Sequence, residues 1–242
     1  MAANRVNPIQ IVPLYGVELE APAQAPQLTY RGGPLLTSVQ VYTYFWGAAW
    51  TQSPQSDLID RINAYFDYVL TSPLLDQLAE YSVPGMAIGH GARAGTATVT
   101  DRSPAATVTD ADIQAFVQQQ VPNPDPNGLY FVYLPPGVAV SMDGGASCSS
   151  FCGYHSDIGG TTFYAAMPYP DCSGCAGGLA PFDALTSTSS HELCEAITDP
   201  VAGQSWYDDS NGEIGDICAW RTKQLGGYVV QLEWSNAAGQ CI

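Results

Sequence analysis

Lysine is almost missing from this chain. Lys223 is the only one, and the basic residues number 7 against 23 acidic ones, a net charge of −16 over 242 residues. A surface so poor in cations repels phosphate backbones and anionic membranes, so neither nucleic acid nor a membrane surface is expected as a partner. No stretch approaches the roughly 20 apolar residues that a membrane-crossing helix requires. Residues 1–20 lack a basic segment followed by an apolar one, so the start does not read as a standard signal peptide. Histidine occurs only three times, and cysteine does not occur before position 148.

What is present suits a folded protein of the extracellular kind. The hydrophobic fraction of 46% is enough for a sizeable core, and 24 glycines with 18 prolines put much of the chain into turns. Fourteen tyrosines and five tryptophans supply aromatic bulk for a core or a cleft. Residues 1–35, rich in Pro, Ala and Gln, read as an extended N-terminal arm with an edge strand around 9–14. Residues 36–242 read as a single α+β domain, a mixed β-sheet flanked by helices.

Within that domain, alternation and β-branched content predict a strand over 38–46 (SVQVYTYFW). Apolar spacing predicts helices over 56–70 and 73–81. A strand over 95–100 and a helix from a Thr109 cap to about Gln120 follow, then a buried central strand at 129–134 (LYFVYL). The spans 144–160 and 168–178 read as cysteine-containing loops around a strand at 161–167. Segments 213–220 and 227–234 read as a terminal hairpin.

The chemistry is concentrated in 191–200 (HELCEAITDP). A helix is expected to start near Asp183 as N-cap and to stop by Thr198 or Asp199, because Pro200 disfavours helical geometry in the residue before it. On such a helix His191 and Glu195 share one face and could both ligate zinc. Glu192 holds the place of the general base in HExxH metallopeptidases. Glu213 or Asp216 could supply a third ligand; if that segment is extended, the two point to opposite faces. His155 or Tyr207 could stabilise a developing oxyanion. The bland alternative is a solvated helix face. A second metal, calcium, could sit in the oxygen-rich run 208–213 (DDSNGE), whose bland alternative is a tight polar turn.

The cysteine pairs Cys148/Cys152 and Cys172/Cys175 could be disulfides or a structural zinc site, with disulfides favoured by the secreted texture of the chain. Cys241 is expected to tie the terminus to Cys218, leaving Cys194 as a free buried thiol. Spacing does not fix the connectivity.

The C-terminal half resembles the exordium-like (phosphate-induced protein 1) family. The matching stretches are 148–155 (CSSFCGYH), 169–175 (YPDCSGC), 190–200 (SHELCEAITDP), 206–207 (WY), 213–218 (EIGDIC), 230–236 (VQLEWSN) and Cys241. The resemblance implies a shared cysteine framework of Cys148, Cys152, Cys172, Cys175, Cys218 and Cys241. It implies a shared polar centre of His191, Glu192, Glu195, Glu213 and Asp216, secretion, and a metallopeptidase-like activity. Cys194 stands where a small apolar residue is usual in that family. The expectation is a secreted zinc-dependent hydrolase of the zincin type, an endopeptidase taking peptide along a strand edge. The alternative is a non-catalytic extracellular or cell-wall protein with a structural metal. Substrate and oligomeric state do not follow from the sequence.

Overall fold

The computed structural model describes residues 10–16, 25–142 and 144–242. In chain order the main elements are β1 (Gln10–Pro13), β2 (Gln40–Trp46), α1 (Gln55–Val69), α2 (Pro73–Leu78), β3 (Ala92–Val99) and α3 (Asp110–Gln120). They continue with β4 (Gly128–Tyr133), β5 (Phe151–Ile158), β6 (Thr162–Met167), α4 (Pro181–Thr198), β7 (Thr222–Leu225) and β8 (Tyr228–Gln231). One six-stranded sheet runs β1-β5-β6-β4-β2-β3. Its β6-β4-β2-β3 part is parallel, while β1 and β5 pair antiparallel. Small two- and three-stranded sheets surround it, so the class is mixed α+β.

The apolar run of β4 is explained by its place. Parallel neighbours flank it on both sides, Phe131 standing opposite Thr43 and Ala165, and helices cover both faces. Phe45, Phe131, Tyr133 and Met167 pack against Ile62 and Phe66 of α1 and Leu185 and Ile197 of α4. On the other face Tyr130, Val132 and Tyr164 meet Ile113, Phe116 and Val117 of α3. Thr109 caps α3 through a capping box: its Oγ1 accepts from the Asp112 N–H at 3.2 Å, and Asp112 Oδ2 accepts from the Thr109 N–H at 2.8 Å. No helix among the described residues is long and apolar enough to cross a membrane.

The strand at 38–46, the helices after it, the Thr109 cap and the central strand stand where the sequence puts them. Four expectations are corrected. The chain at 151–158, expected as loop, is the strand β5; Cys, Gly and His hide its alternation, and pairing with β1 and β6 makes it. The long helix begins at Pro181 rather than being capped by Asp183, because proline at N1 is pre-set for the helical φ. Residues 213–220 are not a strand but a loop with one 3-10 turn, Asp216–Cys218. The hairpin is β7–β8 around Gly226 and Gly227, whose φ values of 59° and 91° suit a tight turn of the primed type.

The cysteines pair across the two loops rather than within them. Cys148 joins Cys172 and Cys152 joins Cys175, while Cys218 joins Cys241 and Cys194 stays free and buried. The crossed pair clamps the start of β5 to the short helix Ser173–Ala176 just before α4. Of the N-terminal arm, β1 does form an edge strand, and residues 25–35 pack on the domain, with Leu28 1% exposed and Thr29–Tyr30 paired with Trp206–Tyr207. Ile9 and residues 17–24 lie outside the described residues.

Replacing Cys218 and Cys241 together by serine should lower the unfolding free energy by about 3 kcal/mol, because the bridge closes a loop of 23 residues. Denaturant unfolding checks this; an unchanged midpoint would mean that other contacts hold the terminus.

Candidate metal centre

The second half of α4 lies inside the protein. His191, Glu192 and Glu195 each have 0% exposure, as does His155 on β5. A helix this polar tolerates burial because its hydroxyls are used. Thr186 Oγ1 donates to the Val229 carbonyl at 2.8 Å, and Ser189 Oγ lies 2.8 Å from Tyr133 Oη. Ser190 Oγ donates to the Ser187 carbonyl and accepts from the Gln231 N–H.

Glycine lets the neighbours approach. A Cβ on Gly153 of β5 would stand 2.8 Å from Thr188 Cγ2 and 3.3 Å from Glu192 Oε1. One on Gly215 would stand 2.8 Å from His191 Nδ1 and 2.9 Å from Glu195 Oε1. Both glycines are needed for close approach, not for backbone freedom.

Two clusters meet at Glu195, each able to hold a metal ion: His191, Glu195 and Asp216 on one side, His155, Glu192 and Glu195 on the other. On the first side, His191 Nε2 is 3.0 Å from Glu195 Oε1 and 3.9 Å from Asp216 Oδ1. Glu195 Oε1 also accepts from the Asp216 N–H at 3.0 Å, and Asp216 Oδ2 accepts from the Glu213 N–H at 3.1 Å. On the second side, His155 Nδ1 is 3.1 Å from Glu192 Oε2 and 3.5 Å from Glu195 Oε2. Its Nε2 lies 3.3 Å from the Asp199 carbonyl and 3.7 Å from Glu213 Oε2. Glu192 Oε1, Glu195 Oε2 and both oxygens of Glu213 are buried without a hydrogen-bond partner.

The electrostatics follow from four carboxylates around two imidazoles in a dry setting. Burial disfavours a charged His155, but the Glu192 and Glu195 carboxylates outweigh it and raise its pKa to about 10. Burial and the Glu195 charge push the Asp216 carboxyl up to about 8. Burial, Glu195 and Asp199 raise Glu213 well above the carboxylate range, and burial raises Glu192 as well. Glu195 goes the other way: burial works against its charge, but the two imidazoles overcome that and hold it ionised.

His191, Glu192, Glu195, His155, Glu213 and Asp216 are thus brought together. Glu213 and Asp216 are not on opposite faces of a strand, since a turn carries both inward, Glu213 toward His155 and Asp216 toward His191. Tyr207 sits in a two-residue strand paired with Thr29, with the Arg31 guanidinium 4.7 Å from its ring centre. The oxygen-rich run 208–213 forms a polar turn: Asp208 accepts from the N–H groups of Gln27, Ser210 and Asn211, and Asp209 pairs with Arg31. Cys194 packs among core side chains, and burial pushes its thiol well up.

Residues not singled out in the sequence complete the centre. Gln231 joins His191 to the Gly215 carbonyl. The Asp199 carboxylate accepts from three N–H groups, those of Gly203, Gln204 and Ser205. A lone Gln closing the apolar strand β8, just before Leu232, was the available signal for the first. Comparison of the chain with protein-family profiles, curated proteins and solved structures returns no match.

The raised pKa values of His155 and Asp216 predict the same pH dependence in metal-free protein. His155 keeps its proton to about pH 10 when folded and to 6.5 when unfolded, so its contribution is complete below 6.5 and lost as pH rises through 10. Asp216 is protonated to about 8 in the fold but ionises near 3.8 in the unfolded chain. Between those values the unfolded chain binds fewer protons, so stability again falls as pH rises. The Tm of chelator-treated protein should therefore drop steadily from pH 6 to alkaline pH, and added zinc should flatten the drop. A flat metal-free profile would contradict the cluster as drawn.

Proposed function

We propose that this protein binds one divalent cation at the buried centre around Glu195, and that the ion fastens α4 to β5 and to the segment 213–218. The observation that carries this reading is the set of buried carboxylate oxygens without partners, in a cluster with more carboxylates than imidazoles. A divalent cation supplies the missing charge and the missing partner together. Imidazole among the donors favours zinc over calcium, which takes oxygen ligands. Full burial of both histidines and of Glu192 and Glu195 supports a fold-holding use. Neither the cleft lined by Tyr42, Tyr44 and Tyr130 nor the one lined by Leu35, Leu36 and Phe163 reaches them. The three disulfides are consistent with an extracellular setting, as the exordium-like resemblance implies.

The second reading is a zincin-type hydrolase acting on peptide. It is favoured by the HExxE order and by Glu192, whose raised pKa and unpartnered Oε1 suit a proton acceptor. In that reading His191, Glu195 and Asp216 would hold an ion, which would supply Lewis acidity toward the scissile carbonyl. Glu192 would take a proton from water and pass it to the leaving amine.

Elemental analysis of protein never exposed to chelator tests the shared premise. About one zinc per chain is expected in the wild type, and less than about a tenth of that in Glu195→Ala, since Glu195 belongs to both clusters. A metal-free wild type ends both readings. The hydrolase reading further requires a peptidase activity that falls by about 100-fold or more in Glu192→Gln; protein that carries zinc but cleaves no peptide in a broad substrate screen leaves only the fold-holding use.

A further inference from the structure

The motif places the ion on His191. We infer that it sits instead between His155 Nδ1, Glu192 and Glu195, with His191, held at Nδ1 by Gln231, standing behind Glu195. This deepens the metal-binding reading and rests on it.

The tautomer of each imidazole is set by its neighbours. The Gln231 side chain is fixed by two backbone partners: its Oε1 accepts from the Trp220 N–H at 3.2 Å, and its Nε2 donates to the Gly215 carbonyl at 2.9 Å. The same Nε2 stands 2.8 Å from His191 Nδ1. An amide NH2 facing a ring nitrogen makes that nitrogen the acceptor, so the proton of a neutral His191 is on Nε2, toward Glu195 Oε1. A protonated nitrogen has no lone pair for a metal. Turning the Gln231 amide over would set its oxygen against the Gly215 carbonyl and its NH2 against the Trp220 N–H. His155 is wired the opposite way. Its Nε2 faces a carbonyl, that of Asp199 at 3.3 Å, so a neutral ring donates from Nε2 and has its lone pair on Nδ1, which in the protonated, metal-free ring is the N–H facing Glu192 Oε2 at 3.1 Å. A ligating histidine that donates its other N–H to a carbonyl is the usual outer arrangement of a metal site.

The carboxylate oxygens also differ in what they already accept. On the His191 side, Glu195 Oε1 and Asp216 Oδ2 each accept a backbone N–H, and the unpartnered buried atom is a ring nitrogen, His191 Nε2, rather than an oxygen. On the His155 side, Glu195 Oε2 and Glu192 Oε1 are fully buried and have no hydrogen-bond partner. Distances agree. Bonds of about 2.1 Å at the tetrahedral angle set ligand atoms about 3.4 Å apart, and His155 Nδ1 lies 3.1 Å from Glu192 Oε2, on the same carboxylate as the free Oε1, and 3.5 Å from Glu195 Oε2. The 3.9 Å gap from His191 Nε2 to Asp216 Oδ1 is wider than that spacing. With Glu192 as a ligand, it is not free to act as the proton acceptor of the hydrolase reading.

The test loads zinc into the full chain and into His155→Gln and His191→Gln, and measures metal content after dialysis. The expected result is about one equivalent in the wild type and in His191→Gln, and a loss of at least about tenfold in His155→Gln. Metal kept in His155→Gln overturns the assignment, whatever His191→Gln does. If both variants lose metal or fail to fold, long-range 1H–15N spectra of the wild type decide. On adding zinc, Nδ1 of His155 should shift as a coordinated nitrogen while the His191 ring keeps its metal-free shifts; coordination at His191 overturns the proposal. No zinc in the wild type ends the metal-binding reading itself, an outcome distinct from zinc bound at His191.

Discussion

Negative charge that cannot reach water is the constraint around which this structure is arranged. Glu192, Glu195 and Glu213 are fully buried, with Asp216 at their edge. An isolated buried carboxylate is costly enough that it normally takes up a proton. Two imidazoles offset part of the charge, and Glu195, between them, keeps its ionised form. The remainder must be met by protons, which is what the raised pKa values of Glu192, Glu213 and Asp216 express, or by a cation. Either way the centre is a place where the chain accepts instability locally, and the surrounding sheet has to hold it closed.

The sheet does so by bringing far-separated segments onto one helix. β5 supplies His155, the turn at 213–218 supplies Glu213 and Asp216, and β8 supplies Gln231. Two glycines, Gly153 and Gly215, keep these backbones within reach of α4, and the crossed disulfides anchor β5 and the approach to α4 on one side. The contacts are short in space and long in sequence, so the centre exists only once the whole C-terminal half has folded.

That division explains what could be read in advance. The helix 55–69 carries its own apolar periodicity, the helix 110–120 its capping box and the strand 128–133 an unbroken apolar run, so local physics determines them. The HExxE face was legible for the same reason, since i and i+4 are neighbours on any helix. β5 was not: its Cys152, Gly153 and His155 are there for a disulfide, a close helix contact and a buried imidazole, each of which breaks the strand pattern. Glu213 and Asp216 were found as residues but not as geometry, because a 3-10 turn placed by Cys218 and Gly215 has no periodic signature. The pairing of Cys148 with Cys172 needed the fold, since both loops offered two thiols of similar spacing.

One detail of the sheet order has a consequence for association. The strand bearing His155 is an inner strand only because Gln10–Pro13 lies along its outer side, reaching back across some 140 residues of sequence to Phe151–His155. Among the described residues, those four pair with Phe151, Gly153, Tyr154 and His155 along that flank of β5. A cleavage between this short strand and the body of the domain would leave an uncapped ladder next to the densest charge in the protein, open to a strand from another chain. The short strand Gln10–Pro13 thus closes the sheet beside the buried charges of the centre.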